Sequence, residues 1–214
     1  MSLTLDPETY VFVGPKVIGW VIRLWRHPSR ATSIGTGGRA DRPGWRAVLA
    51  ATRRCPVVPM KQAAEEFLSH KRIAVTGVSR DPKTHGANMV YQRLRVGGYD
   101  VVAINPNAET VEGDPCYPDL ASVPTPVEAV VIGTRPETAE ATMHECVDLG
   151  ISRVWMHRGP GKGSVSEKAA AYGREHGLTV IPGGCPCMFG ATADGGHKAM
   201  RWMFGLTGNV PKQV

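Results

Sequence analysis

The chain has 214 residues, of which 42% are hydrophobic and 21% are charged, a composition typical of a folded globular protein and unlike a disordered one. The formal charge is +6 at pH 7, but residues 1–60 contain nine basic and three acidic residues, so the rest of the chain holds sixteen of each and is neutral. A neutral domain has no net field to attract DNA or RNA, so we expect no nucleic-acid partner.

Residues 1–59 are predicted to be an irregular or poorly ordered basic extension. Their most apolar run, residues 10–25, contains Lys16 and Arg23 and is shorter than the roughly 20 apolar residues that cross a bilayer, so no membrane span is predicted. An amphipathic helix lying on the domain or on a membrane surface is the alternative. The pattern changes abruptly at Met60, and one hypothesis is that Met60 is the native start. The intact mass of the protein from its native source tests that hypothesis.

From residue 60 to residue 214, short apolar strands alternate with helices. The predicted strands cover residues 72–78, 100–106, 128–134, 153–157 and 178–182. The predicted helices begin at Met60, cover residues 86–96, run from Pro136 to Gly150, run from Ser164 or Ser166 to His176, and cover residues 191–204. Continuous apolar strands separated by helices are typical of a parallel sheet covered on both faces. We therefore predict an α/β fold: one domain with a doubly wound, five-stranded, parallel Rossmann-like sheet.

Right-handed crossovers predict that the five strands, counted along the chain, have the spatial order 3-2-1-4-5. Ligands of such sheets bind beyond the carboxyl ends of the strands, near the point where the order reverses. Four strand ends are expected around that crevice, and they carry Gly77-Val78-Ser79, Asn105-Pro106, Thr134-Arg135 and Met156-His157.

The first turn, residues 76–86, has neither a GxGxxG fingerprint nor a Walker A loop. It offers backbone N–H groups, the hydroxyls of Ser79 and Thr84, and the cationic side chains of Arg80 and Lys83. Such groups beside a helix N-terminus bind a pyrophosphate. The alternative is a solvated connecting loop.

Several short segments follow one another in a fixed order through the domain. They are residues 73–79 with Pro82, 98–106, Gly113, 117–124, 134–137, Gly150, 154–156, 177–180 and Cys185-Pro186. Taken together, this series resembles the stand-alone CoA-binding-domain proteins, which are small relatives of the N-terminal domain of the succinyl-CoA synthetase α-subunit. The resemblance extends over about residues 67–185, more than half of the chain.

The resemblance implies a Rossmann-like fold that accepts coenzyme A through its nucleotide half. It places the first turn at the pyrophosphate, the end of the second strand by the ribose or adenine, and the end of the third strand beside the pantetheine. The resemblance also implies that the 3′-phosphate is bound by a cationic side chain, for which Arg80, Lys83 and Arg135 are the candidates. The implied site residues are Gly77, Val78, Ser79, Arg80, Lys83, Asn105, Pro106, Thr134, Arg135 and Pro136.

The predicted function is binding of CoA or an acyl-CoA without catalysis by the chain itself, and no catalytic residue is assigned. One alternative is an NAD(P)-dependent oxidoreductase, which the neutral Asn105 disfavours because an acidic residue there would hold the ribose diol of NAD. Another is a regulatory interaction module without a ligand. Apolar residues near the C-terminus (Met200, Trp202, Met203 and Phe204) are expected to form core or homodimer contacts.

The cysteines show no paired regular spacing, so reduced thiols and a cytoplasmic location are predicted. Cys185 and Cys187 form a C-x-C pair after the last strand. Buried structural thiols are the favoured interpretation. The alternatives are oxidation, a mixed disulfide between Cys185 and the CoA thiol, and a metal site joined by His197. Two cysteines do not complete a zinc site, so no metal site is predicted.

Overall fold

The computed structural model describes residues 57–81 and 86–214. The strands in this part of the chain are β1 (Arg72–Thr76), β2 (Asp100–Ile104), β3 (Thr110–Val111), β4 (Asp114–Tyr117), β5 (Ala129–Ile132), β6 (Arg153–Met156) and β7 (Thr179–Pro182). The helices are α1 (Met60–Phe67), α2 (Gly86–Val96), α3 (Pro136–Asp148), α4 (Glu167–Glu175) and α5 (Gly195–Leu206), with 3₁₀ helices at Pro186–Met188 and Gly190–Thr192. The predictions for residues 1–56 and for Lys83 and Thr84 lie outside the described residues.

The strands form one sheet in the order β3-β4-β2-β1-β5-β6-β7. Every pairing in it is parallel except the antiparallel pairing of β3 with β4. The prediction of a single, doubly wound α/β domain with a parallel Rossmann-like sheet is confirmed.

The predicted strand order and the predicted number of strands are wrong. The five expected strands have the order 2-1-3-4-5, because β5 pairs with β1 on the side away from β2. Two further strands, β3 and β4, lie in the segment that was expected to be a loop. Their hairpin turns at Glu112 and Gly113, which have φ angles of 53° and 83°, and β4 occupies the outer edge of β2.

Alternate residues of the central strand β1 face two separate apolar cores. Ile73 and Val75 belong to the core shared with α1, α2 and α5, whereas Ala74 belongs to the core shared with α3 and α4. The ring of Trp155 on β6 meets Phe67 of α1 edge-on, with centroids 5.3 Å apart. Burying a large apolar side chain contributes roughly 1.5–3 kcal/mol, so this double covering explains why the strands are apolar throughout.

Two helix starts are decided by side-chain caps. Ser166, rather than Ser164, caps α4, because its Oγ accepts a hydrogen bond from the Ala169 N–H at 3.3 Å. The last helix begins at Gly195 and not at residue 191 as predicted. Asp194 Oδ1 accepts hydrogen bonds from the His197 N–H at 2.7 Å and from its ring Nδ1 at 2.8 Å, which fixes the first turn of α5 there.

Asp194 provides a pH-dependent contribution to stability. Hydrogen bonds from the backbone and then the ring of His197, followed by Arg93 at 2.7 Å, hold the pKa of Asp194 well below its usual range. A lowered folded-state pKa stabilises the fold above the unfolded-state pKa of about 4, and this contribution is lost as the pH falls through the folded-state value. We therefore expect Asp194→Ala to lower Tm at neutral pH and the difference from wild type to narrow in acid. Thermal melts followed by circular dichroism over a pH series measure this.

Asp194→Asn is the control that isolates charge, because Asn keeps a capping oxygen. Its neutral-pH loss of Tm should be smaller than that of Asp194→Ala. A wild-type advantage that stays constant from neutral to acid pH would show that the carboxylate charge contributes nothing.

The first described residues pair with the C-terminal tail. Val58 and Val214 exchange backbone hydrogen bonds of 2.8 and 3.0 Å, and the Met60 N–H donates to the Lys212 carbonyl at 3.0 Å. Residues 57–59 are therefore joined to the domain by backbone pairing. In the described part of the chain, no helix combines the length and the apolar character that a bilayer crossing needs.

Candidate functional site

A crevice of about 460 Å³ lies at the carboxyl ends of the central strands. The connection from β1 leads through α2 to β2 on one side, and β5 lies on the other side of β1 and continues into α3. The crevice is therefore at the switch point of the sheet, where ligands of open α/β sheets bind. Its lining comes from the ends of β1, β2 and β5, the segment after β4, and the first turns of α3.

Two glycines allow the ends of β1 and β5 to approach each other. Gly77 has a φ of +77°, and a Cβ there would lie 2.9 Å from the Gly133 carbonyl carbon and oxygen. A Cβ on Gly133 would lie 2.6 Å from both the Thr76 oxygen and the Ala87 Cβ. Any larger residue at these positions would push apart the floor of the crevice and the start of α2.

Two asparagines hold the first turn in place. The Asn88 carboxamide, on α2, accepts from the Ser79 N–H at 2.8 Å and donates to the Ser79 carbonyl at 2.7 Å. Asn105, after β2, donates to the Val78 carbonyl at 2.8 Å and accepts from the Asn107 N–H at 2.8 Å. The turn is therefore shaped by side chains before any ligand arrives.

The structure brings together half of the residues that the sequence predicted for the site. The predicted residues that line the crevice are Gly77, Asn105, Pro106, Thr134 and Arg135. The predicted residues outside the lining are Val78, Ser79, Arg80 and Pro136. Val78 is part of the core and Arg80 is exposed, while Pro136 is the first residue of α3. Lys83 lies outside the described residues.

The N–H groups of the first turn are largely occupied. The Gly77 N–H donates to the Ile104 carbonyl at 3.0 Å, and the Ser79 N–H donates to Asn88. The Ser79 Oγ accepts from the Asp81 N–H at 3.1 Å. Among the described residues of this turn, the Ser79 hydroxyl proton and the exposed Arg80 side chain can donate to an anion.

Met156 and His157, which were expected at the same crevice, do not line it. Because β5 and not β6 is the neighbour of β1, β6 ends one strand further from the switch point. The His157 ring instead lies by the start of α2, where a Cβ on Gly86 would be 3.1 Å from its Cε1. There it lies beside the segment that carries Cys185, because the Arg158 N–H donates to the Gly184 carbonyl at 2.8 Å, a grouping that the sequence analysis did not anticipate.

The Thr134 hydroxyl is an unsatisfied polar group in the crevice. Its Oγ1 is buried and has no hydrogen-bond partner among the described residues. Buried hydroxyls are nearly always hydrogen-bonded, so an orphan that lines a crevice indicates a missing polar partner. Arg135, the next residue, is exposed and caps the start of α3, and it brings a positive charge to the same edge.

Asn88 and Glu145 are the residues that sequence reasoning missed. Glu145, on α3, accepts from the Leu120 and Ala121 N–H groups at 2.7 and 3.1 Å, so it fixes the segment that closes one side of the crevice. Asn88 is a polar residue on the buried side of the amphipathic helix α2. That mismatch between polarity and position is the signal that could have identified it.

Comparison with known proteins agrees with this geometry. Residues 71–191 match the family described as the CoA binding domain. The chain belongs to the CoA binding domain family. This domain is 28% identical over 124 residues to the uncharacterized protein YneT of Bacillus subtilis, a match that covers 58% of this chain and 88% of YneT. It is also similar to the structure of a hypothetical protein from Pyrococcus horikoshii, with a TM-score of 0.54 and 28% identity over 59% of this chain and 86% of that one.

One relative with a stated activity is much longer. The chain is 29% identical over 120 residues to an ADP-forming acetate–CoA ligase II of Archaeoglobus fulgidus, and the match covers 52% of this chain but only 18% of the ligase. The likeness therefore concerns a small part of that enzyme.

Proposed function

We propose that the chain binds CoA or an acyl-CoA in the crevice between the ends of β1 and β5. The observation that carries the proposal is the orphaned Thr134 hydroxyl in a crevice at the switch point of the sheet, in a domain of the CoA binding family. The chain acts as a carrier or sensor of the ligand, and the surrounding residues orient it without reacting with it.

Charge supports a phosphate-bearing ligand. Arg135 lies at the crevice and exposed Arg80 lies in the first turn, so both provide positive charge for phosphate groups. Thr134, between β5 and Arg135, hydrogen-bonds the polar part of the pantetheine arm.

CoA is favoured over NAD by the end of β2. An NAD site uses an acidic residue at this position to hold the ribose diol. Here the position holds Asn105, whose carboxamide is already engaged by Val78 and Asn107.

Thermal shift with CoA, acetyl-CoA, NAD, NADP and ATP tests the proposal. A ligand at about 100 times its Kd stabilises the folded state by about 2.7 kcal/mol. We expect a rise in Tm with CoA or acetyl-CoA and no rise with either dinucleotide. A rise with NAD or NADP alone would favour an oxidoreductase, and no rise with any of the ligands would favour the regulatory module.

A substitution at Thr134 separates ligand binding from stability. Thr134→Val keeps the shape of the side chain but removes a hydroxyl that has no partner among the described residues, so the free energy of unfolding should be unchanged or slightly higher. CoA affinity should fall by about fivefold, or about 1 kcal/mol, for the lost hydrogen bond. Isothermal titration measures the affinity and urea unfolding measures the stability.

Thr138→Val is the matched control. Thr138 also lines the crevice, but its hydroxyl already donates to the Arg135 carbonyl at 2.9 Å. This variant should retain CoA affinity. Equal affinity losses in the two variants would remove Thr134 from the site.

The proposal extends to a homodimer in the cytoplasm. On α5, Phe204 packs in the core, whereas Trp202 is 72% exposed and Met203 and Leu206 are exposed beside it. These side chains provide an apolar face for a second subunit. Sedimentation equilibrium of wild type and Trp202→Ser tests the homodimer, and a monomeric wild type would contradict it.

A further inference from the structure

Two cysteines and a histidine meet beyond the end of the sheet, away from the Thr134 crevice. Cys185 is the N-cap residue of the 3₁₀ helix Pro186–Met188, and Cys187 lies within that helix. His157 follows β6. The backbone holds the two segments together, because the Arg158 N–H donates to the Gly184 carbonyl at 2.8 Å and the Gly183 N–H donates to the Met156 carbonyl at 3.0 Å.

The two thiols have unequal environments. Cys185 is 7% exposed and Cys187 is fully buried. A hydrogen bond from the Cys187 thiol lowers the pKa of Cys185 well below its ordinary value, and a hydrogen bond and positive charge from His157 lower it further, although burial opposes the shift. The hydrogen bond to Cys185, then burial, and then the negative charge of Cys185 raise the pKa of Cys187.

Two other cysteines of the chain have pKa values that are raised mainly by burial. Burial raises the pKa of Cys146, in the α3 core, to about 12. Burial also raises the pKa of Cys116, on β4. Cys185 therefore differs from these two thiols through its neighbours and not through its exposure.

We propose that Cys185 is a nucleophilic thiol that exchanges with low-molecular-weight disulfides, and that Cys187 is the second thiol that completes the exchange. Both thiols are buried, as the favoured sequence interpretation predicts, and the proposal adds a reactive role to them. The cluster of Cys185, Cys187 and His157 carries it, because a thiolate beside a cation is the reactive form of cysteine.

The exchange balances in two steps. In the first, the Cys185 thiolate attacks one sulfur of the small disulfide, a Cys185–sulfur bond forms, and the other half leaves as a thiolate. In the second, the Cys187 sulfur attacks the Cys185 sulfur, loses its proton to solvent, and releases the remaining half as a thiolate. The small disulfide is reduced to two thiols, and the cysteine pair is oxidised to a disulfide.

The coupling between the thiols orders these steps. While Cys185 is a thiolate, its charge keeps Cys187 protonated and unreactive. Forming the mixed disulfide removes that charge. Burial still raises the pKa of Cys187 and the positive charge of Arg93, on α2, still lowers it, but the contributions of Cys185 are gone, so the second thiol ionises more readily once the first has reacted.

Release of pyridine thiol from dithiodipyridine, a neutral disulfide, tests the proposal in full-length protein. All variants carry Cys55→Ser, because Cys55 lies outside the described residues. We expect rapid release of both halves of the probe by this background protein. With Cys187→Ala we expect release of one half and an intact mass that retains the other. With Cys185→Ala we expect no rapid release, because Cys187 is fully buried and out of reach of the probe.

Cys146→Ala is the control and should behave like the background protein. Rapid release that persists in Cys185→Ala would overturn the proposal. If Cys185→Ala does not fold, as judged by circular dichroism, timed alkylation of the background protein followed by peptide mass spectrometry decides. Labelling of Cys116 or Cys146 as fast as Cys185 would then overturn it.

His157→Gln tests whether His157 activates Cys185. The readout is the pH dependence of the reaction rate, which would not change if His157 were merely structural. The groups that face Cys185 are Cys187 and His157, and Arg93 faces Cys187. Losing the ring that lowers the pKa of Cys185 should shift the rise of the reaction rate to higher pH and slow it at neutral pH by roughly tenfold, since a thiol with a pKa of about 8.5 is only a few per cent ionised there. An unshifted profile would remove His157 from the site.

Discussion

Gly133→Ala is expected to lower the free energy of unfolding by about 3 kcal/mol, at the upper end of the cost of overpacking a core. The added methyl group would lie 2.6 Å from the Thr76 oxygen and 2.6 Å from the Ala87 Cβ. The first of these atoms is backbone of β1 and the second is at the start of α2, so neither can rotate away. The strand ends must separate, and the Gly133 N–H, which donates to the Thr76 carbonyl at 3.1 Å, loses its geometry.

Gly195→Ala is the control, because a Cβ at the first residue of α5 meets nothing within 4 Å. Alanine is favoured over glycine in a helix by up to about 1 kcal/mol, so this variant should be as stable as wild type or slightly more stable. Urea unfolding of both variants gives the two free energies. Equal stability of Gly133→Ala and Gly195→Ala would show that the β1 and β5 ends are not closely packed. Because both strand ends line the crevice, Gly133→Ala should also lose its Tm response to CoA.

The local elements were predictable because their signals are local. The helix Gly86–Val96 has its predicted bounds, since its apolar spacing ends at Gly97-Gly98. The position of Pro136 at the first turn of α3 also follows from its fixed φ and missing N–H. Features of this kind depend on a few neighbouring residues and can be read without knowing the rest of the fold.

The sheet order was not predictable in the same way, because strand pairing is a long-range choice. The hairpin of β3 and β4 has strands of two and four residues and turns at Glu112, a residue without the usual preference for a positive φ. Once β4 takes the outer edge of β2, β5 pairs with β1. The error at His157 follows from that single choice, since β6 then ends beside β5 and not beside β1.

The candidate site also combines residues that local sequence signals reveal with residues that only long-range contacts reveal. Gly77 and Thr134 were predicted because they follow strands that the sequence reveals. Asn88 was not, because its partners are the Ser79 backbone, nine residues away, and Glu112, twenty-four residues away. Only the three-dimensional arrangement joins the first turn, α2 and the hairpin through one carboxamide.

Asn88→Ala is expected to be the other strongly destabilising change, by about 3 kcal/mol, because leaving buried polar groups unpaired costs about 1–3 kcal/mol each. Asn88 is 1% exposed. Its oxygen accepts from the Ser79 N–H, and its Nδ2 donates at 2.7 Å to both the Ser79 carbonyl and Glu112 Oε1. Removing the carboxamide leaves all three without this partner. Urea unfolding measures the loss.

Gln92→Ala is the matched control, since Gln92 lies on the same helix and donates to the same carboxylate at 2.8 Å, but is exposed to solvent. Water replaces its hydrogen bond, so the change should stay within about 0.5 kcal/mol. Equal losses for Gln92→Ala and Asn88→Ala would show that the buried pairing at Ser79 contributes nothing.

Asn88→Asp separates the accepting from the donating role of the carboxamide. At neutral pH the introduced carboxylate can accept from the Ser79 N–H but cannot donate, and it places a second negative charge beside Glu112, so it should destabilise at least as much as Asn88→Ala. Burial and Glu112 both raise the pKa of the introduced group, which regains a donating proton as the pH falls. The deficit relative to wild type should therefore shrink between neutral and mildly acidic pH, whereas the deficit of Asn88→Ala should not. If the two variants respond to pH alike, the first turn is held by acceptance from Ser79 alone.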